Sequence, residues 1–88
     1  MNGDPLSLLE NSRSMRILLF IREHEGCRKM ELYDAVCGDG RMPKKLDNLE
    51  AAGLIVQRRA GMSTFLSLTD KGRRVADALA EIERIMEE

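Results

Sequence analysis

Apolar and polar positions along this chain follow two different periods, and the change of period divides it. From Ser14 to about His24, Met15, Leu18 and Leu19, flanked by Ile17 and Ile21, recur at helical spacing, with Arg16, Arg22, Glu23 and Glu25 in other positions. This predicts a first helix, apolar over enough of its circumference to sit at the centre of the fold, with Gly26 as its stop. A short extended piece at 27–30 follows. A second helix is marked by Leu32, Ala35 and Val36 and ends before Gly38. Gly38, Asp39 and Gly40 have the composition of a turn. A third helix is expected over 41–52, its buried stripe made by Met42, Leu46 and Leu49, with Pro43 tolerated in the first turn and Gly53 closing the element.

Beyond Gly53 the period shortens. Residues 54–59 and 63–68 are two short runs rich in Leu, Ile, Val, Thr and Phe, separated by Ala60, Gly61 and Met62, which predicts a hairpin. Thr69 then stands as an N-cap with Asp70 in the first turn, opening a last helix to about Met86. In that helix Val75, Leu79, Ile82 and Met86 recur at spacings of four, three and four. The first dozen residues offer one helical turn around Leu6, Leu8 and Leu9.

Length sharpens this picture: 88 residues give one domain and one core, of modest stability by itself. The net charge of −1 excludes a polybasic chain, but its distribution is uneven. Between Gly38 and Arg74 eight basic residues face four acidic ones, whereas after Val75 Asp77, Glu81, Glu83, Glu87 and Glu88 stand against Arg84 alone. A basic middle and an acidic end lie behind the neutral total.

The candidate chemistry is mostly negative. No segment approaches the roughly 18 consecutive apolar residues of a membrane span, and no leader is evident at the start, so a cytoplasmic, reducing setting without membrane contact is expected. Cys27 and Cys37 lie ten apart with only His24 nearby, too few ligands for zinc. They read as small buried hydrophobes; the sharper alternative is a redox switch, with Arg28 and Lys29 lowering the pKa of Cys27. The six methionines read as core filler, with Met15, Met30 and Met42 as candidates for lining a small-molecule pocket. There is no nucleophile and base pair and no Gly-rich phosphate loop, so neither an enzyme nor a cofactor is expected.

Three helices followed by a hairpin, with a tight turn between the second and third, is the order of a winged helix-turn-helix. The stretches LDNLEAAGLIVQRR (Leu46 to Arg59) and FLSLTDKGRRVADAL (Phe65 to Leu79) resemble the end of the recognition helix, the first wing strand and the wing-to-helix junction of small winged-helix transcription regulators of the MarR, ArsR and PadR kind. The resemblance covers nearly the whole chain from Ser14. The expected architecture is mostly α with a small β-hairpin wing: an N-terminal extension over 1–13, a winged helix-turn-helix over 14–69 and an extended C-terminal helix over 70–88.

Double-stranded DNA is the partner this implies. With Met42, Leu46 and Leu49 turned inward, Arg41, Lys44, Lys45 and Asn48 face out, and Arg or Lys can bond guanine while Asn can bond adenine in the major groove. Arg58 and Arg59 near the hairpin tip suit the flanking phosphates. Arg73 and Arg74 read as surface residues. The stripe of Val75, Leu79, Ile82 and Met86 is the candidate homodimer contact. A sequence-specific regulator, a repressor in its simplest form, is the leading expectation. A winged-helix protein-interaction module without DNA binding is the alternative, favoured by Pro43 and Asp47 on the third helix.

Overall fold

The computed structural model describes residues 6–10, 13–36 and 42–88. A 3-10 turn at Ser7–Glu10 precedes α1 (Ser14–Glu23), β1 (Cys27–Arg28), α2 (Lys29–Val36), α3 (Met42–Ala51), β2 (Ile55–Ala60), β3 (Ser63–Leu68) and α4 (Asp70–Met86). The expected turn at 38–40, together with Arg41 and Cys37, lies outside the described residues.

The core is aliphatic and α1 runs through it. Its buried stripe is Ser14, Ile17, Leu18 and Ile21, the i, i+3, i+4, i+7 set, so the inward face is turned from the expected one: Ile17 and Ile21 are fully buried, while Met15 is exposed. Leu32 and Val36 of α2 and Met42, Leu46 and Leu49 of α3 close on this stripe, and Ile55, Leu66 and Leu68 cover it from the sheet. Met42 is the one buried methionine among the described residues. Met15, Met30, Met62 and Met86 are exposed, so among the described residues the core-filler role holds for Met42 alone, and Met15 and Met30 line separate grooves rather than one pocket with Met42.

The sheet has three antiparallel strands in the order β1-β3-β2. The expected extended piece supplies a two-residue edge strand, Cys27 opposite Leu66 and Arg28 opposite Phe65. The hairpin pairs from Ile55 with Leu68 up to Ala60 with Ser63, leaving Gly61 and Met62 as a two-residue turn. Gly61 has φ +64°, the left-handed backbone that a tight hairpin turn needs at its first position.

Local bonds explain why each helix stops and starts where it does. Glu31, in the first turn of α2, accepts from the Arg28 backbone N–H at 2.7 Å, the reach-back half of a capping box. At the end of α3, Leu54 N–H donates to Leu49 O at 3.0 Å and Gly53 N–H to Glu50 O at 2.9 Å, a Schellman closure with Gly53 at φ +79°. The carbonyls just beyond α3 are then taken by the start of α4. Lys71 Nζ donates to Ala52 O, the Thr69 hydroxyl to Gly53 O, and Thr69 N–H to Leu54 O at 3.1 Å. The same Thr69 hydroxyl accepts from Gly72 N–H at 2.9 Å, the N-cap bond of α4.

The helix α4 divides along its length. Gly72, Ala76 and Leu79 are buried, Ala76 and Leu79 within the core, and Arg22 of α1 reaches Asp77 at 2.8 Å. Beyond Leu79 the apolar side chains of Ile82, Ile85 and Met86 emerge into solvent. No helix among the described residues is long and apolar enough to cross a membrane.

Candidate nucleic-acid interface

The outward face of α3 follows from its inward one. With Met42, Leu46 and Leu49 fully engaged, Lys44 and Asn48 are exposed one turn apart on the opposite side, and Lys45 is half-buried on the flank. Asp47 and Glu50, on the flank nearer the sheet, are both occupied. Gln57 Nε2 donates to Asp47 at 3.0 Å and to Glu50 at 3.1 Å, and Gln57 N–H also donates to Glu50 at 3.1 Å. These bonds tie β2 to α3.

Strand alternation separates the two wing arginines. Gln57, Arg59 and Thr64 face the α3 side, where with Lys29, Pro43, Asp47 and Glu50 they line a groove of about 570 Å³. Arg58 lies on the other face of the sheet, its guanidinium 5.8 Å from the centre of the Phe65 ring, in a cation–π contact. Arg28 is opposite Phe65 in the neighbouring ladder and shares that face. The wing therefore carries Arg59 toward α3, where Lys29 of α2 lines the same groove, and Arg58 on the other face, which Arg28 of β1 shares. Periodicity could not reveal Arg28 and Lys29 as members of this surface, because a two-residue strand has no period.

Ion pairing sorts the cations further. Arg22 pairs with Asp77, Arg73 with Glu25 at 3.0 Å, and Arg84 with Glu81 and Glu88. Arg13 donates to Val36 O at 3.1 Å. Among the described residues no carboxylate pairs with Lys44, Lys45, Arg58 or Arg59. Glu25 also accepts from Leu68 N–H at 2.8 Å, so Arg73 belongs to a brace between β3 and α4.

The cysteine chemistry runs opposite to expectation. Cys27 is buried under the sheet, and its thiol pKa is raised above the ordinary 9.0, first by burial and then by Glu31 and Glu25, with only its own backbone hydrogen bond lowering it. Neither Arg28 nor Lys29 is among the groups that shift it, so they do not activate it. Among the described residues no three His, Cys, Asp or Glu side chains are placed to hold a metal ion.

The four residues of the candidate dimer stripe separate. Leu79 is 8% exposed, part of the core, and Val75 packs against that core. Ile82 and Met86 are 55% and 79% exposed and, with Met15 and Leu19 of α1, line an open apolar groove of about 350 Å³.

No protein-family model and no curated protein matches the chain. Solved structures do. AF1382 from Archaeoglobus fulgidus superposes with a TM-score of 0.83 at 21% identity, over 97% of this chain and 99% of that one. The MarR family transcriptional regulator SPO1453 from Silicibacter pomeroyi gives 0.76 at 24% identity over 84% of this chain, and Streptococcus pneumoniae FabT, solved in complex with DNA, gives 0.76 at 20% over 92%. The chain spans 54% of the length of SPO1453 and 64% of that of FabT. Helix order, wing and superposition agree: the chain has the winged helix-turn-helix fold that MarR-type transcription regulators carry.

Proposed function

We propose that the protein is a sequence-specific, double-stranded DNA-binding transcription regulator that represses by occupying a promoter. The observation that carries this reading is the outward face of α3, where Lys44 and Asn48 stand exposed with Lys45 beside them and no carboxylate pairs with either lysine among the described residues. In the major groove Lys44 would meet guanine and Asn48 adenine, and Arg41, outside the described residues, belongs to the same proposed set. Arg59 and Lys29, and on the other face Arg58 and Arg28, would hold the flanking phosphates, which give affinity and orientation.

A homodimer completes the proposal. Its contact is the exposed end of α4, Ile82, Ile85 and Met86, packed with Met15 across the groove against α1, while Val75 and Leu79 support it from the core side. Two-fold pairing would set two recognition helices about 34 Å apart on an inverted repeat. The acidic residues after Val75 would keep this end away from phosphate.

The test is binding to a pool of genomic fragments at increasing salt, followed by sequencing of what is retained. The expected result is one enriched inverted repeat, with affinity falling steeply as salt rises. Absence of binding to any duplex at low salt would leave the fold as a protein-interaction module.

A further inference from the structure

Phe20, Tyr33 and Phe65 are the chain's phenylalanine and tyrosine side chains, there is no tryptophan, and one of the three has no place in the core. Phe20 and Tyr33 pack against the buried cluster, while Phe65 does not. It lies half-buried on the middle strand of the sheet, directly opposite Arg28 of β1 in one ladder and Arg58 of β2 in the other. Directly opposed residues of an antiparallel sheet point to the same face, so the three side chains form one row of arginine, phenyl and arginine, about 10 Å across at two strand spacings.

The neighbouring rows leave this one standing clear. On the same face Ala60 opposite Ser63 lies on one side of it and Val56 opposite Ser67 on the other, and only Val56 among these is bulky. The face is turned to water, with Val56 42% exposed. Its cations carry no countercharge: among the described residues no carboxylate pairs with Arg28 or Arg58, and Glu31 is bonded to the Arg28 backbone N–H rather than to its guanidinium. The Arg58 guanidinium keeps to the ring, 5.8 Å from its centre.

A duplex accounts for the arginines and not for the ring. Phosphates would engage Arg28 and Arg58, but paired strands keep their base faces stacked inside and offer a phenyl group no plane. An unpaired strand offers one at every step. Its repeat of phosphate, planar base and phosphate is the complement of cation, ring and cation, and bases of any sequence stack on phenyl rings and guanidinium planes. An acidic peptide would satisfy the arginines without supplying a plane between its charges.

We propose that this outer face of the sheet is a single-stranded nucleic-acid site, in which a base stacks on Phe65 while Arg28 and Arg58 hold the phosphates on either side of it. It goes beyond the duplex reading, which shares the two arginines; Phe65 belongs to the single-strand site alone.

The experiment measures fluorescence anisotropy of the full chain with oligo-dT, oligo-U, an abasic strand of equal length and a duplex. Phe65→Leu keeps an apolar side chain and removes the plane, and Phe65→Trp gives the chain its sole tryptophan. Wild type should bind oligo-dT and oligo-U, the tighter of the two identifying DNA or RNA as the natural strand. Phe65→Leu should weaken both by about tenfold and leave duplex affinity unchanged. In Phe65→Trp either strand should quench the tryptophan emission, and the abasic strand should not. Unchanged strand affinity in Phe65→Leu, quenching by the abasic strand, or displacement of oligo-dT by oligoglutamate as readily as by oligo-dT overturns the site. Duplex binding without strand binding overturns it and leaves the duplex reading standing, while strand binding without duplex binding upholds it and overturns that reading.

Discussion

Gly72 of α4 lies against the backbone of Leu54 so closely that a Cβ built on it would stand 1.8 Å from the Leu54 carbonyl oxygen. That oxygen is held in place by Thr69 N–H, and neither partner is a side chain that can turn aside. Gly72→Ala therefore has to push α4 away from the base of the wing. A loss of about 3 kcal/mol in urea unfolding is expected, at the upper end for an overpacked site.

Thr69 holds the same junction by chemistry rather than by space. Its hydroxyl accepts from Gly72 N–H and donates to Gly53 O, so Thr69→Ala removes both bonds while Thr69→Ser keeps them. The alanine variant should lose about 1–2 kcal/mol and the serine variant much less, read by thermal unfolding.

Substitutions on α3 and on the wing, the two elements proposed to meet DNA, should separate by kind. Lys44→Ala and Asn48→Ala are expected to cost about 1–3 kcal/mol against the selected site and to relax base preference. Arg59→Ala should weaken all duplexes alike and reduce the salt slope by about one. Fluorescence anisotropy on matched and scrambled duplexes, each over a salt series, distinguishes the two patterns.

The end of α4 offers a similar separation between assembly and folding. Ile82→Asp places a charge on an exposed position and should yield a folded monomer in sedimentation, with an unchanged circular dichroism spectrum. Leu79→Asp buries that charge in the core and should unfold the chain. A folded dimer of Ile82→Asp would place the contact elsewhere.

Cys27 makes a prediction about alkaline pH. A thiol whose pKa is raised in the folded chain stays neutral there, while the unfolded chain releases its proton from about 9.0 upward. Stability is thus fully present below that value and declines as pH rises through it, and Tyr33, raised above 10.0 by burial and by Asp47, extends the decline. Cys27→Ala should make the fall in unfolding free energy between about pH 8 and 10 shallower. Peroxide should leave DNA affinity unchanged.

Patterns that repeat were legible in the sequence, and single contacts were not. The stripe of Met42, Leu46 and Leu49 placed α3 because three turns of helix repeat the same choice, and Thr69 marked the start of α4 because capping is local chemistry. In α1 nearly every position from 15 to 21 is apolar, so spacing could not choose between Met15 and Ile17 as the inward residue; packing against α2, α3 and α4 did. The strand at Cys27 and Arg28 exists because β3 pairs with it, and nothing in two residues announces that. Nothing local to Gln57 marks its role, since its partners Asp47 and Glu50 belong to another element. The sequence places Met62 in the hairpin turn with Ala60 and Gly61, and the register narrows that turn to Gly61 and Met62.

The bridge from Gln57 to Asp47 and Glu50 has a mechanical meaning. It clamps the stem of the wing to the flank of α3, so the offset between the helix and the hairpin tip is set by the protein's own amides and carboxylates. A flexible pair of readers would settle onto many duplexes with equal ease. On the DNA-binding reading proposed above, a clamped pair would act as a gauge of fixed span, favouring duplexes already shaped to its spacing and making the others bend or twist to meet it.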